Sequence, residues 1–202
     1  MKREVRKEYL EMLSSHLDKE VIAYLEREPQ ITSLLTDYLV LVDTIATRTL
    51  SGKPLHNRDT GRYIGTPKIN AAEVFSDYSF LIAPIYKAFE GYLFLLANSI
   101  GLKTKDEIIK NIGGCYDEEK IIQIKREIVT ETGNRIDKAD KEGIGRLSEL
   151  KRVLEQYRHN PAHFLGNTLD TFQKATNYGG AILTAINETT KFFLERGDIT
   201  SR

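Results

Sequence analysis

Residues 80–101 read FLIAPIYKAFEGYLFLLANSIG, and this run decides the class of fold. Phe80, Ile85, Phe89, Tyr92, Leu93, Leu96 and Ile100 recur at helical spacing, and other apolar side chains fill the positions between them. Such a helix is apolar on nearly every side, so it belongs at the centre of a bundle rather than on its surface. The spacing predicts a helix from about residue 71 to 100, closed by Gly101.

Upstream lie two further stripes. Val5, Tyr9, Met12, Leu13, Leu17, Val21 and Leu25 share one face of a first helix that stops at Pro29. Ile31, Leu34, Leu35, Tyr38, Leu39, Val42 and Ile45 mark a second, which ends near Ser51-Gly52. Downstream, charged and weakly patterned helices are expected over 104–112 and 117–132, followed by a glycine-punctuated loop from Gly133 to Gly145. Leu147, Leu150, Val153, Leu154 and Tyr157 then line a helix from about Arg146 to Arg158. A last long helix is expected from Pro161 or Thr168 to Glu195, with Leu169, Phe172, Thr176, Gly179, Leu183, Ile186 and Phe193 in step. Gly179-Gly180 within it predicts a close helix crossing. No alternating pattern suggests a strand. The reading is all-α: a helical bundle over 71–196, an N-terminal helical extension over 1–50, and a Gly/Pro-rich loop over 51–70. That loop carries Lys53, His56, Arg58, Arg62 and Lys68. It reads equally as a functional loop or as a plain connection.

Composition narrows the function. Lysine plus arginine and aspartate plus glutamate number 29 each, so no global basic field points to nucleic acid, and a polyanion would need a local patch. One cysteine, Cys115, excludes an internal disulfide and a cysteine-based zinc cluster. The four histidines form no helical pair of the kind that holds a metal. No metal or cofactor is therefore expected. Residues 1–28 are too charged for a signal peptide, and no 18-residue run looks apolar enough to span a membrane. The default expectation is a cytoplasmic protein.

Chemistry concentrates at Tyr157-Arg158-His159-Asn160-Pro161-Ala162-His163-Phe164. Asn160-Pro161 is a helix-start signature, which would put Arg158 at the end of one helix and His163 in the first turn of the next. A helix N-terminus attracts phosphate and disfavours imidazolium. The guanidinium could then hold a phosphodiester while a neutral imidazole takes the proton of an attacking hydroxyl. An arginine and a histidine at a junction also serve as ordinary surface or capping groups. His159, which adjoins Arg158, is the competing candidate, and reads otherwise as a secondary phosphate contact or a plain surface residue. Glu90 stands in the apolar central run with Tyr86 and Phe94 a turn away on either side, and Lys87 precedes it by three residues. A carboxylate there is costly to bury unless paired. Two readings follow: a structural ion pair, or a group that orients Arg158 or His163.

Arg158-x4-His163, placed before the final helix of an all-helical chain, resembles the R-x4–6-H motif of HEPN ribonucleases. Within them it is most similar to the C-terminal toxin domain of the RNase LS (RnlA/LsoA) toxin family. That family pairs a basic residue with a glutamate three positions later on an earlier helix. Lys87-Ala88-Phe89-Glu90 matches, except that lysine, which lacks the bidentate fork, stands where arginine is expected. The resemblance covers about residues 75–195. It implies a HEPN-like helical bundle and a metal-independent endoribonuclease with Arg158, His163 and Glu90 catalytic, and Lys87, His159 and Asn160 on the RNA. It further implies a homodimer and a cognate antitoxin protein. The competing expectation is a non-catalytic HEPN-like module that binds a nucleotide or a protein.

Overall fold

The computed structural model describes residues 8, 11–51, 55–56, 63–65, 68–70, 73, 75, 77–100, 116, 140–159 and 169–201, with backbone alone for most strand residues and at both ends of one helix. In order, the described elements are α1 (Lys19–Leu25), α2 (Pro29–Thr47), β1 (Thr49–Ser51), β2 (Leu55–His56), β3 (Tyr63–Gly65), β4 (Lys68–Asn70), α3 (Ser79–Ser99), α4 (Asp140–His159) and α5 (Phe172–Glu195). The chain is mostly helical, as the apolar spacing predicts. The helices expected over 104–112 and 117–132 lie outside the described residues.

The run that opens the argument is central. α3 buries ten side chains, among them Leu81, Ile85, Phe89, Leu93 and Leu96, and packs mainly against α2 and α5. Truncating one such leucine to alanine would cost about 2–5 kcal/mol. By length and composition α3 is also apolar enough to cross a membrane, with a mean hydropathy of 1.4 over its window, which corrects the reading that no such run exists. Packing on two flanks accounts for that apolarity. The helix starts at Ser79, later than its periodicity suggests. The Asp77 carboxylate accepts from the Ser79 amide (2.9 Å) and hydroxyl (2.8 Å), a local turn that competes with helix. Phe80 falls in its first turn and stays 43% exposed, so it is not part of the core stripe.

Three contacts set the helix directions. α2 runs antiparallel to α3: Ile31 lies against Gly91, and the Tyr24 hydroxyl donates to Ser99 Oγ at 3.0 Å. α5 runs parallel to α3. At one end the Tyr78 amide donates to the Leu169 carbonyl (2.8 Å) and its ring meets Phe172, while further along Thr190 Oγ1 donates to Tyr92 Oη at 3.1 Å. α4 returns antiparallel along α5, pinned by Arg146 to Glu188 at 3.0 Å. Leu150, Val153 and Leu154 remain buried, which requires α4 to run back over the bundle rather than past its end.

Four boundaries differ from expectation, each for a local reason. The first stripe is interrupted by turns over Ser14–Leu17 before α1 begins. α4 begins at Asp140, so Gly143 and Gly145 are helical; burial of Leu147 and partial burial of Ile144 outweigh a glycine penalty of about 1 kcal/mol each. α5 begins only at Phe172, where Thr171 Oγ1 accepts from the Lys174 amide at 3.2 Å and caps the helix. Between α2 and α3 the supposed loop contains two antiparallel ladders: Thr49↔Asn70, Leu50↔Ile69 and Ser51↔Lys68, then Leu55↔Gly65 and His56↔Tyr63 with a bulge at Leu55/His56. Ladders of two or three residues are too short to show alternation in the sequence.

One hydrophobic cluster runs from Leu13 and Val21 through α2 and α3 to Ile186 and Ile199. Described residues from Leu13 to Ile45 thus contribute to the same core as the later helices.

Candidate functional site

Arg158 and His159 close α4, whose helical backbone extends through His159. The cation at position 158 thus stands in a last turn, where the carbonyl end of the helix favours positive charge. Asn160 and His163 lie outside the described residues. α5 begins nine positions beyond His163, and Leu169 and Asp170 are not helical. The expectation that His163 stands in a first helical turn after Asn160-Pro161 falls outside the described residues.

Glu90 and Lys87 occupy a different place. They line a groove of about 340 Å³ between the start of α2 and the middle of α3, together with Glu28, Ile31, Leu34 and Phe94. Glu90 is half-buried and Lys87 is exposed. Neither forms an ion pair among the described residues, so the structural pairing of Glu90 with Lys87 is not made there. Because the groove opens to water, the carboxylate escapes most of the desolvation penalty that full burial would impose.

Helix geometry separates the two sets of residues within one chain. Tyr92 lies at the level of Thr190, and Arg146 reaches Glu188 two residues away on the same helix. Glu90 is accordingly near the level of Arg146. From there twelve residues of α4 lead to Arg158, about 18 Å of helical rise. The structure brings Lys87 together with Glu90 on one groove.

The end of the bundle that holds Arg158 holds more than the motif suggests. α2 ends there, α3 and α5 begin there, and the four strands hang between α2 and α3. Beside the start of α3, Phe75 and Phe80 are 40% and 43% exposed, with ring centroids 5.2 Å apart. Periodicity alone cannot find this pair, since Phe80 fits the core stripe. The available signal is the clustering of Phe75, Tyr78 and Phe80 just ahead of a helix start. Among the described residues no three His, Cys, Asp or Glu side chains gather as a metal site would require.

Compared with protein-family models, curated proteins and solved structures, the chain matches none of them.

Proposed function

We propose that this chain is a metal-independent endoribonuclease that cleaves RNA through its own 2′-hydroxyl, with Arg158 and His163 as the reacting pair. The observation that carries the reading is the position of Arg158 in the last turn of α4, immediately before the segment that holds His163. The guanidinium neutralises the scissile phosphate, and the imidazole accepts the proton of the attacking 2′-hydroxyl. The bond to the 5′-oxygen breaks, the 5′-oxygen takes a proton from water and leaves as a hydroxyl, and a 2′,3′-cyclic phosphate remains; the imidazolium then returns its proton to solvent. His159 and Asn160, next to Arg158 in sequence, are secondary phosphate contacts. Glu90 orients His163 or Arg158 and Lys87 contacts the RNA, within one chain or across a dimer. This fits a homodimer of HEPN-like bundles acting as a toxin in a toxin–antitoxin or phage-defence setting, with an antitoxin protein as its natural inhibitor.

Cleavage of single-stranded RNA in EDTA tests the proposal. The expected result is activity that survives chelation, products ending in a cyclic or 3′-phosphate, and resistance of a substrate with a 2′-O-methyl group at the scissile position. Arg158→Ala and His163→Ala should each lower the rate by about a hundredfold or more while melting like the parent. Products with a 3′-hydroxyl would refute the mechanism.

The alternative is a non-catalytic helical module, and the groove of Lys87 and Glu90 specifically favours it, being a cleft of its own between α2 and α3. On that reading the purified chain cuts no RNA, and Lys87→Ala weakens binding of the nucleotide or protein partner.

A further inference from the structure

The groove between the start of α2 and the middle of α3 combines an apolar wall with charges left unpaired among the described residues. It holds about 340 Å³, and its lining includes Glu28, Ile31, Leu34, Lys87, Glu90 and Phe94. That volume is at the lower end of small-molecule sites, which run from about 300 to 1,000 Å³. The apolar wall is fixed by the core: Ile31 is buried at 2% exposure, and Leu34 and Phe94 are partly buried against the same cluster. Gly91 keeps the two helices close at this level, since a Cβ there would stand 3.2 Å from Ile31 Cγ1. A surface held in this way is formed before any ligand arrives.

The charges narrow the ligand. Lys87 and Glu90 stand three positions apart on α3, a spacing at which opposite charges often pair. Neither pairs with the other or with any other described residue. A base that precedes an acid along a helix is the weaker order for a pair. The groove therefore presents an ammonium and a carboxylate within one helical turn, beside an apolar wall. Glu28, from the end of the chain segment that leads into α2, adds a second carboxylate. An organic anion would meet Lys87 but face two carboxylates, and an organic cation would meet those but face Lys87. A zwitterion with an apolar body satisfies the wall and both signs of charge.

We propose that the α2–α3 groove binds a free α-amino acid with a large apolar side chain. The α-ammonium donates to the Glu90 carboxylate, the α-carboxylate accepts from the Lys87 ammonium, and the side chain lies on Ile31, Leu34 and Phe94. The two charges of such a ligand sit on neighbouring atoms of one carbon, which matches two opposite charges within one turn of helix. The site stands on the groove alone and does not depend on whether the chain cuts RNA. Where both hold, the amino acid competes with RNA for Lys87 and Glu90.

Isothermal titration calorimetry of the full chain with L-leucine and L-phenylalanine tests the site. At least one should bind with a dissociation constant of about 1 mM or tighter. L-Alanine lacks the apolar body and should bind about tenfold more weakly. 4-Methylpentanoate, which is leucine without its ammonium, and 3-methylbutylamine, which is leucine without its carboxylate, should each lose about tenfold or more. Lys87→Gln and Glu90→Gln should each weaken leucine to a similar extent while melting like the parent. Glu90→Gln should leave 4-methylpentanoate unweakened, because that ligand has no ammonium to lose a partner; a general loosening of the groove would weaken every ligand alike. No binding of either amino acid at several times that concentration would overturn the proposal, as would Lys87 and Glu90 variants that bind leucine like the parent. N-Acetyl-L-leucinamide, uncharged at both ends, mimics a residue within a peptide. If it bound as well as leucine, the groove would be a dock for a peptide segment and the amino-acid site would fall.

Discussion

The ring of Tyr38 occupies the space that a side chain on Gly179 would need, and its hydroxyl donates to the Thr176 carbonyl at 3.4 Å. The glycine therefore makes room for an aromatic side chain from α2 rather than for a close approach of two helix backbones. Its neighbour Gly180 faces open space.

This asymmetry separates two otherwise identical substitutions. Gly179→Ala should destabilise the fold by about 1–3 kcal/mol, because Tyr38 is buried and cannot swing aside. Gly180→Ala should be neutral or stabilise by up to about 1 kcal/mol through helix propensity alone. Urea denaturation of the two variants compares them directly; equal effects would mean that Tyr38 does not fill the gap.

Burial pushes the Tyr38 hydroxyl up to about 12, and burial raises Tyr24 and Tyr92 as well. A raised folded value means that the native chain holds protons the unfolded chain has already released. The associated stability is fully present below pH 10 and is lost as pH climbs from 10 towards 12. Denaturation midpoints should fall over that window, and Tyr38→Phe should flatten part of the fall. A variant with an unchanged alkaline slope would contradict the assignment.

Thr190 Oγ1 and Tyr92 Oη share a hydrogen bond in the core, with both residues fully buried. Thr190→Val removes the donor and leaves the phenol without that partner, at a cost of about 1–3 kcal/mol. Tyr92→Phe combined with Thr190→Val should cost less than the two single changes added together. A double-mutant cycle by thermal or urea unfolding measures the coupling, and strict additivity would refute it.

Glu90 opens onto the α2–α3 groove without an ion pair among the described residues. Glu90→Gln should therefore shift stability by less than about 0.5 kcal/mol, the range of surface substitutions. A buried pair broken in the same way would cost about 3–5 kcal/mol. Melting of the variant distinguishes these outcomes, and a loss of several kcal/mol would show that the carboxylate balances a buried cation after all.

Much of the fold was legible in order of residues alone. α2, α3 and α5 announce themselves because helical periodicity is local: each apolar position repeats within a turn or two, and burial follows the repeat. Ile31, Leu35 and Leu39, or Ile182, Leu183 and Ile186, are core for the reason their spacing states. The basic character of residues 51–70 and the placement of Arg158 at the end of a helix were equally visible, since charge and helix termini are properties of adjacent residues.

What only the tertiary structure decided depends on residues distant in the chain. Nothing near Glu90 in sequence shows that the facing helix leaves it an open groove with Ile31 and Leu34 on the other side. Phe80 keeps the rhythm of a core residue yet falls at the start of α3, where it stays 43% exposed. Tyr38 and Thr176 meet across 138 positions, and no local pattern assigns a glycine to a particular ring. The strands pair because α2 and α3 fix both ends of the segment between them, a constraint that short ladders cannot express in their own residues. Local spacing sets which face of a helix is apolar; the packing of one helix on another sets what that face meets.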